Sequence, residues 1–274
     1  MSIRLDLSPS SRRRPWLAVC LFALLPVITS VANAADMAMP IKAPPAPVYN
    51  WSGCYVGVNA GAAASGSDFG TTVDPGTHLL GADPALVSAD GSGSHNIGDV
   101  IGGGQIGCNL QTGMWIFGIE GDYDYFHSNP TFTNNTNTLS DGATPFSVTQ
   151  SLTTDFLATV RPRFGIAADR NLAYVTGGAA FTRVNYTETY ADGAAPPGFG
   201  TASAAKNIFG WTIGAGWEYA LFEHWTFKAE YLFVSFPTTN AVGAITDAAG
   251  GINTMHGSAN LTMQVLRAGL NFKF

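Results

Sequence analysis

Residues 207–220 read NIFGWTIGAGWEYA, and this stretch decides the fold. Phe209, Trp211, Ile213, Ala215, Trp217 and Tyr219 alternate with Gly210, Thr212, Gly214, Gly216 and Glu218. A period of two puts the first set on one face of a β-strand and the second on the other. One face is then aromatic and aliphatic, and the opposite face small or charged. Residues 114–125 repeat the pattern, with Trp115, Phe117, Ile119, Tyr123 and Tyr125 opposite Gly118, Glu120, Asp122 and Asp124. In 152–167, Phe156, Ala158, Val160, Phe164 and Ile166 oppose Asp155, Thr159, Arg161 and Arg163.

Extending the reading outward gives eight such segments, at 54–64, 100–111, 114–125, 152–167, 172–187, 207–220, 225–234 and 261–274. Many of them reach ten residues or more, which exceeds a typical sandwich strand and suits a tilted membrane crossing. The connections alternate between long (65–99, 126–150, 188–206, 235–260) and short (112–113, 169–171, 221–224). Outer-membrane barrels sort their connections in this way, with short periplasmic turns and long extracellular loops. A soluble sandwich shares the alternation but has no reason to sort its loops. The expected fold is all-β: an eight-stranded antiparallel transmembrane β-barrel, with an even strand number leaving both termini in the periplasm.

The composition agrees. Only 12% of the 274 residues are charged, while glycine numbers 32 and aromatics reach 12%. That charge content is about half of what soluble domains carry, and nothing is basic enough to suggest a nucleic-acid partner. Residues 1–34 read as a cleavable signal peptide: Arg12, Arg13 and Arg14, an apolar run from Trp16 to Val31, then Ala32-Asn33-Ala34. Cleavage would leave nine basic against 18 acidic residues, since Arg4, Arg12, Arg13, Arg14 and Asp6 depart. Residues 35–50, with Pro40, Pro44, Pro45 and Pro47, read as an extended periplasmic linker ahead of a barrel at 51–274.

The whole mature stretch resembles the small outer-membrane β-barrels of alphaproteobacteria. The resemblance rests on KAPPAPVYNWSGCYVGVNAG (42–61), GGGQIGCNLQ (102–111), FGIEGDYDY (117–125), AYVTGGAAFTRV (173–184), GWTIGAGWEYAL (210–221) and KAEYLF (228–233), in strand order. It implies an eight-stranded barrel in the outer membrane of a Gram-negative cell. Members of the family include surface antigens, porin-like proteins and some haemin binders, so no single activity is implied. The terminal Phe274, on a strand with Leu266, Ala268, Leu270 and Phe272, resembles the signal read by the barrel assembly machinery.

Several residues carry possible chemistry. Cys54 and Cys108 fall on the outward faces of antiparallel neighbours, which permits a cross-strand disulfide; two free thiols are the alternative. Glu120, Asp122, Asp155, Glu218 and Glu230 should point inward, as should Arg161, Arg163, Lys228 and Arg267. Eight strands leave a bore that side chains can fill, and buried charges persist only when paired. These residues are therefore expected to plug the lumen with an acid–base network; a narrow pore lined by the same groups is the alternative. Gly102-x-Gly104-x-x-Gly107 copies a dinucleotide fingerprint but lies in a strand pattern with no helix following, so no cofactor is expected. His78, His95, His127 and His256 lie in the long outer segments and His224 in a turn; without ligand spacing they give only weak support to haemin or metal capture. Asp68, Asp74, Asp83, Asp90 and Asp99 read as a solvated loop. The expected function is a structural and surface-interaction component of the envelope, not an enzyme, whose partners are outer-membrane lipid, lipopolysaccharide and the assembly machinery. A small porin or a haemin-binding surface protein is the alternative.

Overall fold

The computed structural model describes residues 49–128, 131–135 and 137–274. The signal peptide expected at 1–34 and most of the linker expected at 35–50 lie outside them. The described chain forms β1 (Gly53–Val73), α1 (Asp83–Asp90), β2 (Gly93–Thr112), β3 (Trp115–Ser128), β4 (Thr131–Asn134), β5 (Phe146–Ala168), β6 (Asn171–Asp192), β7 (Phe199–Ala220), β8 (Trp225–Thr246) and β9 (Ile252–Lys273). All ladders are antiparallel, in the order β3-β2-β1-β9-β8-β7-β6-β5-β4, and β3 also pairs with β5. That pairing, from Trp115↔Ile166 to Tyr125↔Phe156, closes the ring. The four-residue β4 continues the position of β3 along the upper part of β5. Eight long strands thus complete a sheet that closes on itself through its lower part and leaves no edge there.

The short connections expected at 112–113, 169–171 and 221–224 are tight reversals at 113–114, 169–170 and 221–224. Gly113 takes the left-handed conformation that its turn requires (φ 63°). The first and last strands begin and end at this same end, where the Phe274 amide donates to the Cys54 carbonyl (3.0 Å).

The long connections differ from expectation. Most of each is strand: β1 runs on to Val73, β6 to Asp192 and β8 to Thr246, while β5 starts at Phe146 and β7 at Phe199. What remains as connection among the described residues is 74–92, which holds α1, the part between β3 and β5 that holds β4, and the short stretches 193–198 and 247–251. The outer parts of the strands alternate in burial, but between small polar and apolar side chains, so they read as loops. In β1, Ser65, Ser67, Phe69, Thr71 and Val73 are buried between Gly66, Asp68, Gly70 and Thr72. Asp68 and Asp99 therefore stand on strands and Asp83 and Asp90 on a helix, not on one solvated loop.

The wall has two girdles of aromatic pairs. Near the short turns are Trp115–Phe164 (5.4 Å between ring centroids), Trp217–Tyr219 (5.9 Å) and Trp225–Phe272 (5.3 Å). Further up are Tyr123–Phe156 (5.4 Å), Phe181–Phe209 (5.3 Å) and Trp211–Phe233 (5.5 Å). Trp115 and Tyr125, at the two levels of one strand, are separated by roughly 33 Å of strand, or about 25 Å of height after the usual tilt. Between the girdles the exposed wall is Val, Ile, Leu and Phe, a surface that suits hydrocarbon and not water.

Candidate functional site

The charges that alternation directs inward meet at the level of this apolar belt. Arg161 donates through Nη2 to Glu120 Oε1 and Asp122 Oδ2, both at 2.8 Å, and to Glu230 Oε2 at 3.2 Å. Arg267 holds Glu230 through Nε (2.9 Å) and Nη2 (2.7 Å), and reaches Asp122 (3.1 Å) and Asp124. Lys228 Nζ donates to Glu120 Oε1 (2.8 Å), and Arg163 pairs with Glu218 Oε2 (2.7 Å). Neutral groups extend the web: Thr159 donates to Asp122 (2.7 Å), and Asn271 to Glu218 (2.9 Å) while accepting from Gln105 (2.7 Å). All nine charged side chains are buried, from 0% exposure at Arg161 and Lys228 to 6% at Asp122. A narrow bore explains why: each carboxylate finds a cation across the lumen before it finds water.

Two tyrosines complete the arrangement around Arg163. The Tyr55 hydroxyl accepts from Arg163 and donates to Glu120 Oε2 (2.6 Å), while Tyr174 donates to Glu230 Oε1 (2.9 Å). The Arg163 guanidinium lies 4.0 Å from the centroid of the Tyr174 ring. Both rings need glycine opposite them. A Cβ on Gly107 would overlap the Tyr55 phenol, and one on Gly216 the Tyr174 phenol. The last glycine of the fingerprint-like triplet is thus there to admit a side chain; all three lie inside β2.

Of the nine residues expected in the network, eight come together and Asp155 does not. β5 carries an extra residue between Thr154 and Ala158 relative to β6. Inward positions are even-numbered before this bulge and odd-numbered after it, and Asp155, at the switch, is only half-buried. Asp124 belongs to the network and was missed, although it shares a face with Glu120 and Asp122. Tyr55 and Tyr174 were missed because buried tyrosines carry no formal charge to flag them.

The lumen is filled on both sides of this layer. At the short-turn end Trp51 is inserted, its amide donating to Gln111 Oε1 (2.8 Å) and its indole N–H to the Asp169 carbonyl (3.4 Å). Tyr49 packs edge-on against it, 4.9 Å between centroids, and Lys273 lies over the Tyr49 ring. Above the charges sits an apolar core that includes Ile101, Leu157, Leu232, Val234, Met263 and Val265. Within it Glu188 is buried with no cation beside it among the described residues, held by Thr71 and Tyr186 (2.8 Å), and burial pushes its carboxyl above the ordinary value.

His78 closes the far end. Its Nδ1 lies 2.6 Å from Asp247 and its Nε2 2.7 Å from Asp192, so one ring joins three connections. Backbone amides of Ala194 and Gly198 fix Asp192, and those of Ala249 and Gly251 fix Asp247. Burial opposes charge on the ring, but the two carboxylates outweigh it and raise the imidazole above its ordinary value. With both nitrogens occupied, His78 has none to offer a haem iron. His95 stacks on Phe132 (3.8 Å) and His256 reaches Asp74 (3.1 Å), and no metal-holding cluster occurs among the described residues.

Cys54 and Cys108 are direct register partners and are joined, with S–S at 2.08 Å.

The chain is 31% identical to the 31 kDa outer-membrane immunogenic protein of Brucella melitensis over 264 residues, spanning 94% of this chain and 99% of that one. It is 26% identical to the 25 kDa outer-membrane immunogenic protein of Brucella canis over 257 residues, covering 92% and 94%. Among solved structures, OprG from Pseudomonas aeruginosa aligns with a TM-score of 0.40 at 11% identity, covering 82% of this chain and 99% of that one. Residues 22–274 match the family described as outer membrane protein beta-barrel domain, and the chain belongs to that family of Gram-negative outer-membrane proteins.

Proposed function

We propose that this protein is a closed, non-catalytic barrel that serves the envelope as a structural and surface-interaction component. The observation that carries this reading is the burial of the lumen charges: no member of the network is more than 6% exposed. A water-filled pore lined by the same groups would leave them wet. Trp51 below and the apolar core above leave the network no aqueous approach along the bore axis. The short-turn end, where β1 begins and β9 ends, faces the periplasm, and the strand extensions with their connections face outward to meet the surroundings. Phe274, exposed and terminal, is the group offered to the assembly machinery.

Planar-bilayer recording of the refolded protein tests the reading. Wild type should show no stepwise conductance. A Trp51→Ala, Arg163→Ala, Arg267→Ala variant should begin to conduct, because it removes the plug and two cross-lumen ties. Steady ohmic steps from the wild type would overturn the closed lumen and support a porin.

A further inference from the structure

The upper aromatic girdle is interrupted. Its pairs lie on β3, β5, β6, β7 and β8, but no aromatic side chain stands outward on β1 or β2. The register gives the rows that cross this gap. Val100, Ala62, Leu266 and Tyr231 form one row over β2, β1, β9 and β8, and Gly98, Ala64, Gln264 and Phe233 form the next. All of them stand on the outer face by alternation, and none is buried. Small groups along β1, with larger ones to either side, leave a recess of about 560 Å³ in the wall. Tyr231 donates to Gln264 Oε1 (3.2 Å) at its rim.

The recess changes chemistry along its length. Its lower row is apolar and belongs to the belt. Directly above it, Asn96 and Thr262 flank Gly66 on the same outer face. They lean over that glycine: a Cβ there would lie 3.0 Å from Asn96 Oδ1 and 3.1 Å from Thr262 Oγ1. One row higher, the exposed Asp68 accepts from Ser94 (2.5 Å) and Asn260 (2.9 Å). Neither β1 nor β2 carries a lysine or arginine, and those of β9 are Arg267 in the lumen and Lys273 at the short-turn end. A sugar hydroxyl above the recess can donate to Asp68 and accept from the Asn96 amide. A phosphate there would meet Asp68 with no cation to offset it.

We propose that this recess seats one outer-leaflet glycolipid, its acyl chain over Ala62 and Ala64 and an uncharged sugar of its headgroup against Asn96 and Asp68. The proposal rests on the outward orientation given above but not on the lumen being closed, so a conducting barrel would leave it intact.

Native mass spectrometry of the full refolded barrel in neutral detergent tests it, titrated with diglucosyl diacylglycerol, with phosphatidylglycerol of the same acyl chains, and with maltose as a competitor. Wild type should retain the glucolipid in preference to the phospholipid. Asn96→Ala and Asp68→Ala should each weaken retention of the glucolipid roughly fivefold and leave the phospholipid unchanged. Ala64→Leu, which fills the recess, should weaken retention of the glucolipid as well. All three positions are exposed, so the variants should fold, as unchanged thermal unfolding would confirm. Equal retention of the two lipids by wild type overturns the proposal, as does a glucolipid signal that none of the substitutions lowers. Full competition by millimolar maltose would reveal a free-sugar site, and a barrel dimer in place of the lipid adduct would give the recess to a second copy; either overturns the lipid assignment.

Discussion

The lower and upper tiers of this barrel are made from the same strands and have opposite polarity. β9 shows the exchange within one chain segment. Towards its end, Leu266, Leu270 and Phe272 face outward and Arg267 and Asn271 inward. Earlier in the strand the outward side chains are Thr254, His256, Ser258, Thr262 and Gln264, while Met255, Leu261, Met263 and Val265 are buried. Both faces change character between Gln264 and Arg267. Along β9 the alternation never breaks; only the solvent outside the wall changes. In the lower tier lipid takes the apolar face, so the charges collect within and must neutralise one another. In the upper tier water takes the polar face, and the interior packs like that of a soluble barrel. Hydrophobic burial thus organises both tiers, with the sides exchanged.

This contrast can be tested by substitution. The largest effect is expected inside the lower tier. Arg267→Met leaves Glu230, Asp122 and Asp124 without their shared cation and should cost about 3–5 kcal/mol, read from urea unfolding in detergent micelles. A loss below about 1 kcal/mol would show that water already shields the carboxylates, against the burial described here.

A matched pair on the outer wall separates the tiers more directly. Ile213→Arg, in the belt, should destabilise the barrel in lipid vesicles by about 2–4 kcal/mol. Thr201→Arg, outward on the same strand but in the upper tier, should change stability by less than about 0.5 kcal/mol. Equal costs at the two sites would erase the boundary.

The smallest effect concerns the upper closure. The raised imidazole of His78 contributes stability that is complete below its ordinary value of 6.5 and is lost as pH rises through the higher folded value. Asp192 and Asp247 are lowered from 3.8: Asp192 despite burial, through backbone amides and His78; Asp247 through the Gly251 amide and His78. Their share is present above 3.8 and is lost as pH falls through the folded values. Amide exchange in 74–82 and 247–251, corrected for intrinsic rates, should therefore be slow near pH 6 and faster by pH 9. His78→Gln should abolish the difference, whereas a pH dependence that survives the substitution would assign it to other groups.

Much of the lower tier was legible in advance. The contrast between Trp, Phe and Ile on one side and Gly, Glu and Arg on the other is strong enough to set strand, face and register. It put Cys54 and Cys108 on outward faces of neighbouring strands, where a disulfide was one of two options, and placed eight network residues inward. The upper tier was not legible, because Ser, Thr, Gly and Ala differ too little for alternation to rise above a loop-like composition. Asp155 was misplaced because one inserted residue reverses every face beyond it, and nothing local to 154–158 announces the insertion.

By itself, the sequence determined that strands would form, that one face of each would meet lipid, and that the remaining charges would turn inward. Those results follow from side-chain alternation and from the cost of leaving polar groups in hydrocarbon. Only the tertiary structure decided which acid meets which base, that Trp51 enters the bore, and that His78 joins Asp192 and Asp247 from distant connections. Such contacts depend on ring closure, which brings together groups 100 or more residues apart, a scale on which local pattern carries no information.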